Sequence, residues 1–190
     1  MIEDLKKITG LSSVVDKKLF YEAFFKKENI INTFEVLKEN DLFSFDQLID
    51  ITAIDYPSKE NRFELIYIFL SMKKNKRIIL KTLINENDSI DSIIQIFNAS
   101  DWYERECYDL FGIQFNNHPD LRRIMTDYNF EGHPLRKDFP LTGHTEVRYD
   151  DAEKKVVYEP VKLTQEYRDF DYNSPWEGMP KGIDNHNEQE

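Results

Sequence analysis

The sequence holds a single cysteine, Cys107, among 190 residues. One thiol closes no internal disulfide, and it cannot by itself hold an iron–sulfur cluster, which normally takes four thiolates. Only 6 glycines are present, and they are scattered. Neither the dinucleotide fingerprint nor the Walker loop can be assembled from them, so no glycine-rich phosphate cradle is expected. No Ser-His-Asp elbow is visible either. No apolar run approaches the length of a bilayer span. Basic residues are short, with 25 Lys and Arg against 36 Asp and Glu, for a formal net charge of -11. That balance argues against nucleic acid or an anionic membrane as the main partner, but not against a protein with a basic patch. The acidic start, Met1 to Leu5, lacks the apolar core of a secretion signal and the Arg-rich, acid-poor character of a transit peptide. It predicts a protein made in the compartment where it works.

Hydrophobic residues make up 40% and mean hydropathy is -0.63, as expected of a soluble domain with a core and an appendage. Residues 2–15 read as a short helix with a turn at Gly10. Lys18 to Phe25 reads as a strand, and Ile30, Ile31, Phe34 and Leu37 give helical spacing over residues 29–40. Gln47 to Asp55 alternates and stops at Tyr56-Pro57. Arg62 to Met72 and Arg77 to Leu83, joined by a short basic turn, predict an antiparallel hairpin. Ile90, Ile93, Ile94 and Phe97 predict another helix. The fold class is therefore α+β: a two-layer domain with a mixed sheet of about four strands and helices on one face, then a long irregular C-terminal arm. The expected divisions are a globular domain over 1–114, a partner-docking arm over 115–179 and a disordered tail over 180–190.

The stretch from Trp102 to Leu141 sits at the centre of this organisation. Asp101 and Glu104 are spaced as a capping box, and Gly112 stands where a left-handed C-cap belongs. Tyr103, Cys107, Leu110 and Phe111 form one apolar helix face, which makes Cys107 a buried small hydrophobe. Glu104, Arg105, Glu106 and Asp109 spread over the rest of the helix surface. Beyond Gly112 the periodicity stops, and Pro119, Pro134 and Pro140 exclude a long helix. Large side chains continue, so this is a chain ordered by lying on something else. Acids on the helix, with Arg122, Arg123, Arg136 and Lys137 in the tail, suggest ion pairs that pin tail to helix. His118, His133 and His144 lack the close pairing of metal ligands. They and Glu131 still leave a competing reading, a free-standing metal-dependent hydrolase.

Glu104-Arg105-Glu106, Asp109-Leu110-Phe111-Gly112 and the run from His118 to Ile124 resemble the signature of one family. So does the run from Glu131 to Asp138 followed by Pro140-Leu141. The family is the thirty-kilodalton subunit, or C subunit, of respiratory complex I, NADH:ubiquinone oxidoreductase. The likeness extends upstream through Asp50 to Pro57 and Arg62-Phe63-Glu64. Downstream it takes in Glu146 to Asp150 and Ser174-Pro175-Trp176, covering roughly residues 15 to 178.

That resemblance implies an accessory subunit of the peripheral arm with no catalytic, cofactor-binding or metal-binding residue. NADH, FMN, the iron–sulfur clusters and ubiquinone would belong to neighbouring subunits. The chain would pack on the forty-nine-kilodalton partner, the D subunit, and on other peripheral-arm subunits. It would work in a hetero-oligomer that couples electron transfer to proton translocation, with no direct membrane insertion. Residues expected to lock the arm and the interface are Glu104, Arg105, Glu106, Asp109, His118, Arg122, Arg123, His133, Arg136, Lys137 and Trp176. A related membrane-bound hydrogenase-type complex is the alternative assembly. The abundance of Ile, Asn and Lys suggests an AT-rich genome, which fits a bacterium or an organelle that encodes the protein itself, and an end soon after Trp176 favours a mitochondrial gene. The expected location is thus the matrix side of the inner mitochondrial membrane, the alternative being the cytoplasmic face of a bacterial plasma membrane.

Overall fold

Alternation in three neighbouring runs builds the sheet. In the computed structural model, which describes residues 2–165, these runs are β3 (Gln47–Asp55), β4 (Phe63–Ser71) and β5 (Lys76–Ile84). β4 pairs antiparallel with both neighbours, and β5 pairs parallel with β2 (Phe20–Phe25). A fifth strand, β1 (Leu11–Asp16), lies antiparallel on β2, giving the order β1-β2-β5-β4-β3. The sheet is mixed, but it has five strands and not about four. β1 reads poorly as a strand because its register slips between Ser12 and Val15, where Ser13 has a φ of 51°. An edge strand with an irregularity loses the period-two signal.

α1 (Ile2–Leu5) is short, and α2 (Ile30–Glu39) and α3 (Ser100–Phe111) are the two substantial helices. Both longer helices bury one side against the same sheet face. Phe34 of α2 meets Tyr67 and Phe69 edge-on with ring centroids 5.0 Å apart. From α3, Phe111 packs on Phe63, and the buried Cys107 thiol donates a hydrogen bond to the Ile51 carbonyl at 3.3 Å. Tyr67, Phe34, Phe63 and Phe69 are among the largest fully buried side chains, so the core is an aromatic layer between sheet and helices.

The helix expected at residues 90–97 is absent. Its place is taken by β6 (Ser89–Asp91), which pairs parallel with β7 (Gln114–Asn116), followed by turns. Ile90, Ile93, Ile96 and Phe97 are all buried there, so the apolar spacing reflects turns folded onto the core. The chain divides into two units between Gly143 and His144. The boundary expected at 114/115 thus falls inside the first unit. In the second, β8 (Thr145–Asp150) and β9 (Lys155–Pro160) form an antiparallel hairpin. Trp176 and the tail expected over 180–190 lie outside the described residues.

Candidate functional site

A helix leaves its last carbonyls without intrahelical partners. At the C-terminus of α3 the amide of Gly112 takes the Tyr108 carbonyl at 2.9 Å. The next three carbonyls are taken by the irregular segment that follows, residues 117–139. His133 Nδ1 lies 2.8 Å from the Asp109 carbonyl, the Leu135 amide donates to Leu110 at 3.1 Å, and Arg136 Nε donates to Phe111 at 2.6 Å. A carbonyl only accepts, so the His133 proton sits on Nδ1. A guanidinium at this end also suits the helix dipole. Gly112 is required here: its φ is +79°, and a Cβ would stand 2.5 Å from Arg136 Nη2 and 2.6 Å from His133 Nε2.

The side chain of Asp109 is the second half of the same clamp. One carboxylate oxygen accepts from Arg123 Nη1 at 2.7 Å and from the Thr126 hydroxyl at 2.6 Å. The other accepts from the backbone amides of Ile124, Met125 and Thr126 at 3.0, 2.7 and 2.8 Å. Burial opposes this charge, but the Thr126 hydroxyl and amide, with Arg123 and Ile124, hold the carboxyl well below the usual range. From the facing side Arg105, itself buried, donates to the carbonyls of Arg122 and Arg123.

A further anchor joins the segment to the sheet. Buried Asp55 is held by Arg62 through Nε at 2.8 Å and Nη2 at 3.0 Å, and it accepts from the Lys137 amide at 2.8 Å. Arg62 also pairs with Asp138 at 2.9 Å, and Glu86 bridges Arg62 to Arg136. Asp55, Arg62, Glu86, Asp138 and Thr126 are site residues that sequence reasoning does not single out. Asp55 and Arg62 do stand in the stretches, Asp50 to Pro57 and Arg62-Phe63-Glu64, that carry the family resemblance.

Glu104 departs most from its expected place. The helix begins at Ser100 with Ala99 as N-cap and no side-chain cap, so no Asp101–Glu104 capping box forms. Glu104, Arg105 and Asp109 are buried rather than spread over a wet surface. Glu104 instead accepts from the Ile93 amide at 2.9 Å, while its other oxygen has no hydrogen bond. Burial pushes its carboxyl up, against smaller opposing contributions from Ser92, Ile93 and His118. His118 Nδ1 accepts from the Asp120 amide, so its proton is on Nε2, facing the Asp101 carbonyl at 3.2 Å and Glu104 at 3.9 Å. Glu106 is half-buried, and Arg122 is an exposed partner of Asp120. Lys137 contributes its amide to the clamp and leaves its side chain exposed.

The support under residues 117–139 is therefore the chain's own helix and sheet. The proline-broken segment, expected to dock on a partner, lies within the first unit on the chain's own α3 and sheet. Chemically, the charges are committed to fixing backbone. Among the described residues no three or more His, Cys, Asp and Glu side chains are grouped to hold a metal ion. His118 and His133 are turned to separate carbonyls of α3, and His144 opens the second unit.

Comparison with known proteins adds an independent finding. Residues 24–145 match the family described as respiratory-chain NADH dehydrogenase, 30 Kd subunit. The chain is 56% identical to the C subunit of the NADH-quinone oxidoreductase of Ruegeria sp. (strain TM1040) over 153 residues, 80% of this chain and 76% of that one. It is 53% identical to the protein of that name from Hyphomonas neptunium over 154 residues, 81% of this chain and 76% of the relative. Among solved structures it resembles a chain of the membrane-bound sulfane sulfur reductase, an archaeal respiratory membrane complex. There the TM-score is 0.63 at 25% identity, covering 73% of this chain and 82% of that one.

Two predictions come from this geometry. Asp109→Asn should lower unfolding free energy near neutral pH by about 3 kcal/mol, the scale for breaking a buried pair from one side. Because the folded carboxyl lies below its unfolded value, its contribution is present above about pH 4 and lost as pH falls through the folded value. Urea titrations across pH should show the wild-type advantage shrinking in acid; an advantage that grows in acid would contradict the assignment. For Glu104 the sign is reversed. Its folded carboxyl is raised, so stability is present below the unfolded value and lost as pH rises through the folded one. Glu104→Gln should match or exceed wild type at neutral pH. Glu104→Ala, with no acceptor for the Ile93 amide, should lose about 1–3 kcal/mol. A Gln variant as unstable as the Ala variant would show that the charge itself is needed.

Proposed function

The chain belongs to the respiratory-chain NADH dehydrogenase 30 Kd subunit family, and we propose that it works there as a brace between subunits, binding no cofactor of its own. Its relatives' names make it a subunit of a multi-subunit NADH-quinone oxidoreductase. On our reading it packs on the forty-nine-kilodalton subunit within the quinone-reducing module, while neighbours hold NADH, FMN, iron–sulfur clusters and quinone. Electron transfer between centres depends on fixed spacing, so a rigid brace supports turnover, and the coupled proton translocation, without chemistry of its own.

The observation that carries this reading is the hairpin of the second unit. Register places Val147 opposite Tyr158 and Tyr149 opposite Val156, on one face. All four are more than half exposed. A two-stranded hairpin with an exposed apolar face is marginal alone and gains stability by docking. Within the first unit, the clamped segment turns Met125 and Tyr128 outward, Leu141 just beyond it is exposed, and Trp102 stands exposed on α3. Aromatic and Met side chains of this kind are typical interface anchors.

No helix among the described residues is long and apolar enough to cross a membrane. We place the chain peripherally on a membrane complex: the matrix side of the inner mitochondrial membrane, or the cytoplasmic face of a bacterial one. The relatives named above are bacterial and bear on the second site. The likeness to the sulfane sulfur reductase chain supports a related respiratory complex as a second reading. Co-purification of NADH-oxidising subunits separates the two.

Tyr149→Asp with Tyr158→Asp should leave the unfolding of the first unit unchanged, reduce assembled complex several-fold, and leave NADH:quinone turnover per assembled complex unchanged. Quantifying assembled enzyme on native gels beside its specific activity checks this. Normal assembly with lost turnover would assign the chain a direct catalytic part.

A further inference from the structure

The five-stranded sheet has a second face. α2 and α3 cover the side that carries Phe63, Leu65, Tyr67 and Phe69. The opposite side carries Ile66, Ile68 and Leu70 of β4, Ile79 of β5 and Phe24 of β2. Register joins them: Ile68 is opposite Ile79, Ile66 is opposite Lys81, and Lys81 is opposite Phe24. None of these residues belongs to the main core cluster, yet Ile66 is buried and Ile68, Leu70, Ile79 and Phe24 are half-buried among their own neighbours on the face. Neither longer helix of the first unit packs on them. Solvated sheet faces normally alternate to polar residues, whereas near-continuous apolar runs such as Leu65 to Leu70 mark strands covered on both sides.

Charge on this face is uneven. Lys81 Nζ lies 3.0 Å from Glu22 and 3.2 Å from Glu64, so one ammonium serves two carboxylates. Asp50, opposite Ile68, adds a third carboxylate to these central rows, and the compensating Arg77 stands at the end of the face beside Leu70. Covering the face would bury a surplus of negative charge, which is costly unless the occupant brings a cation. That requirement selects among occupants. A second copy would bring the same acidic surplus to a self-complementary contact. The chain's own residues 166–190 carry 7 acids against 2 bases and fail for the same reason.

We infer that this face seats a basic amphipathic helix of a neighbouring subunit, with an apolar stripe over Ile66, Ile68 and Ile79 and a Lys or Arg reaching Glu22 and Glu64. The inference rests on the reading of the chain as a subunit of a larger assembly, but it concerns a surface separate from the hairpin. One helix, about 10 Å across with its side chains, spans the two central strands.

The test uses the full chain in its assembled complex, with a photo-reactive benzoylphenylalanine at Ile68 in one preparation and at Tyr149 in another. The expected adduct at position 68 maps to another subunit, on a segment with apolar residues at i, i+3 and i+4 and a Lys or Arg beside them. Reversing that basic residue to Glu should reduce assembled complex several-fold, and Glu64→Lys should restore it. An adduct to residues 166–190, to a second copy, to a segment without that pattern, or to nothing overturns the inference. Capture at position 149 with none at 68 leaves the hairpin reading standing and removes this one. Capture at neither position removes both.

Discussion

A single carboxylate organises the second half of the first unit. Asp109 gathers three consecutive backbone amides, a hydroxyl and a guanidinium, and its own carbonyl is taken by His133. Residues 117–139 lack regular structure, so their amides and carbonyls need partners from elsewhere. The end of α3 supplies them, because a helix terminus is itself short of partners. Two incomplete hydrogen-bonding sets complete one another. Burial then makes the arrangement hard to undo, since opening it would leave a charge and several polar groups unpaired.

Rigidity of this kind fits a subunit whose contribution is geometric. The Asp55–Arg62 pair fixes the far end of the segment to the sheet through the Lys137 amide, and Glu86 ties Arg62 to Arg136. Between those anchors the chain can hold Met125 and Tyr128 outward in fixed positions. Preorganised apolar anchors bind with less ordering cost than flexible ones.

Much of the fold was legible because period-two alternation in β3, β4 and β5, and helical spacing in α2, survive in the local sequence. Gly112 was legible as a left-handed cap for the same local reason. What the sequence hid was tertiary. The short strand at Ile90 and the buried turns around Ile93 and Ile96 imitate a helix because they supply the core at similar spacing. Glu104 reads as a wet helix residue, yet it is committed to an amide eleven positions upstream. Acids before arginines suggested pinning, but no spacing rule announces that Asp109 takes amides as well as Arg123. Nor does Lys137 reveal that its backbone, not its ammonium, makes the contact.

On this account residues 117–139 are shaped by α3 and the sheet before any partner arrives. Amide hydrogen exchange of Ile124, Met125 and Thr126 in the purified, unpartnered chain tests it most directly. Slow exchange at all three positions, comparable to the strands of the core, is the predicted result. Exchange at the rate of an unstructured peptide, slowing only once a neighbouring subunit is added, would contradict it.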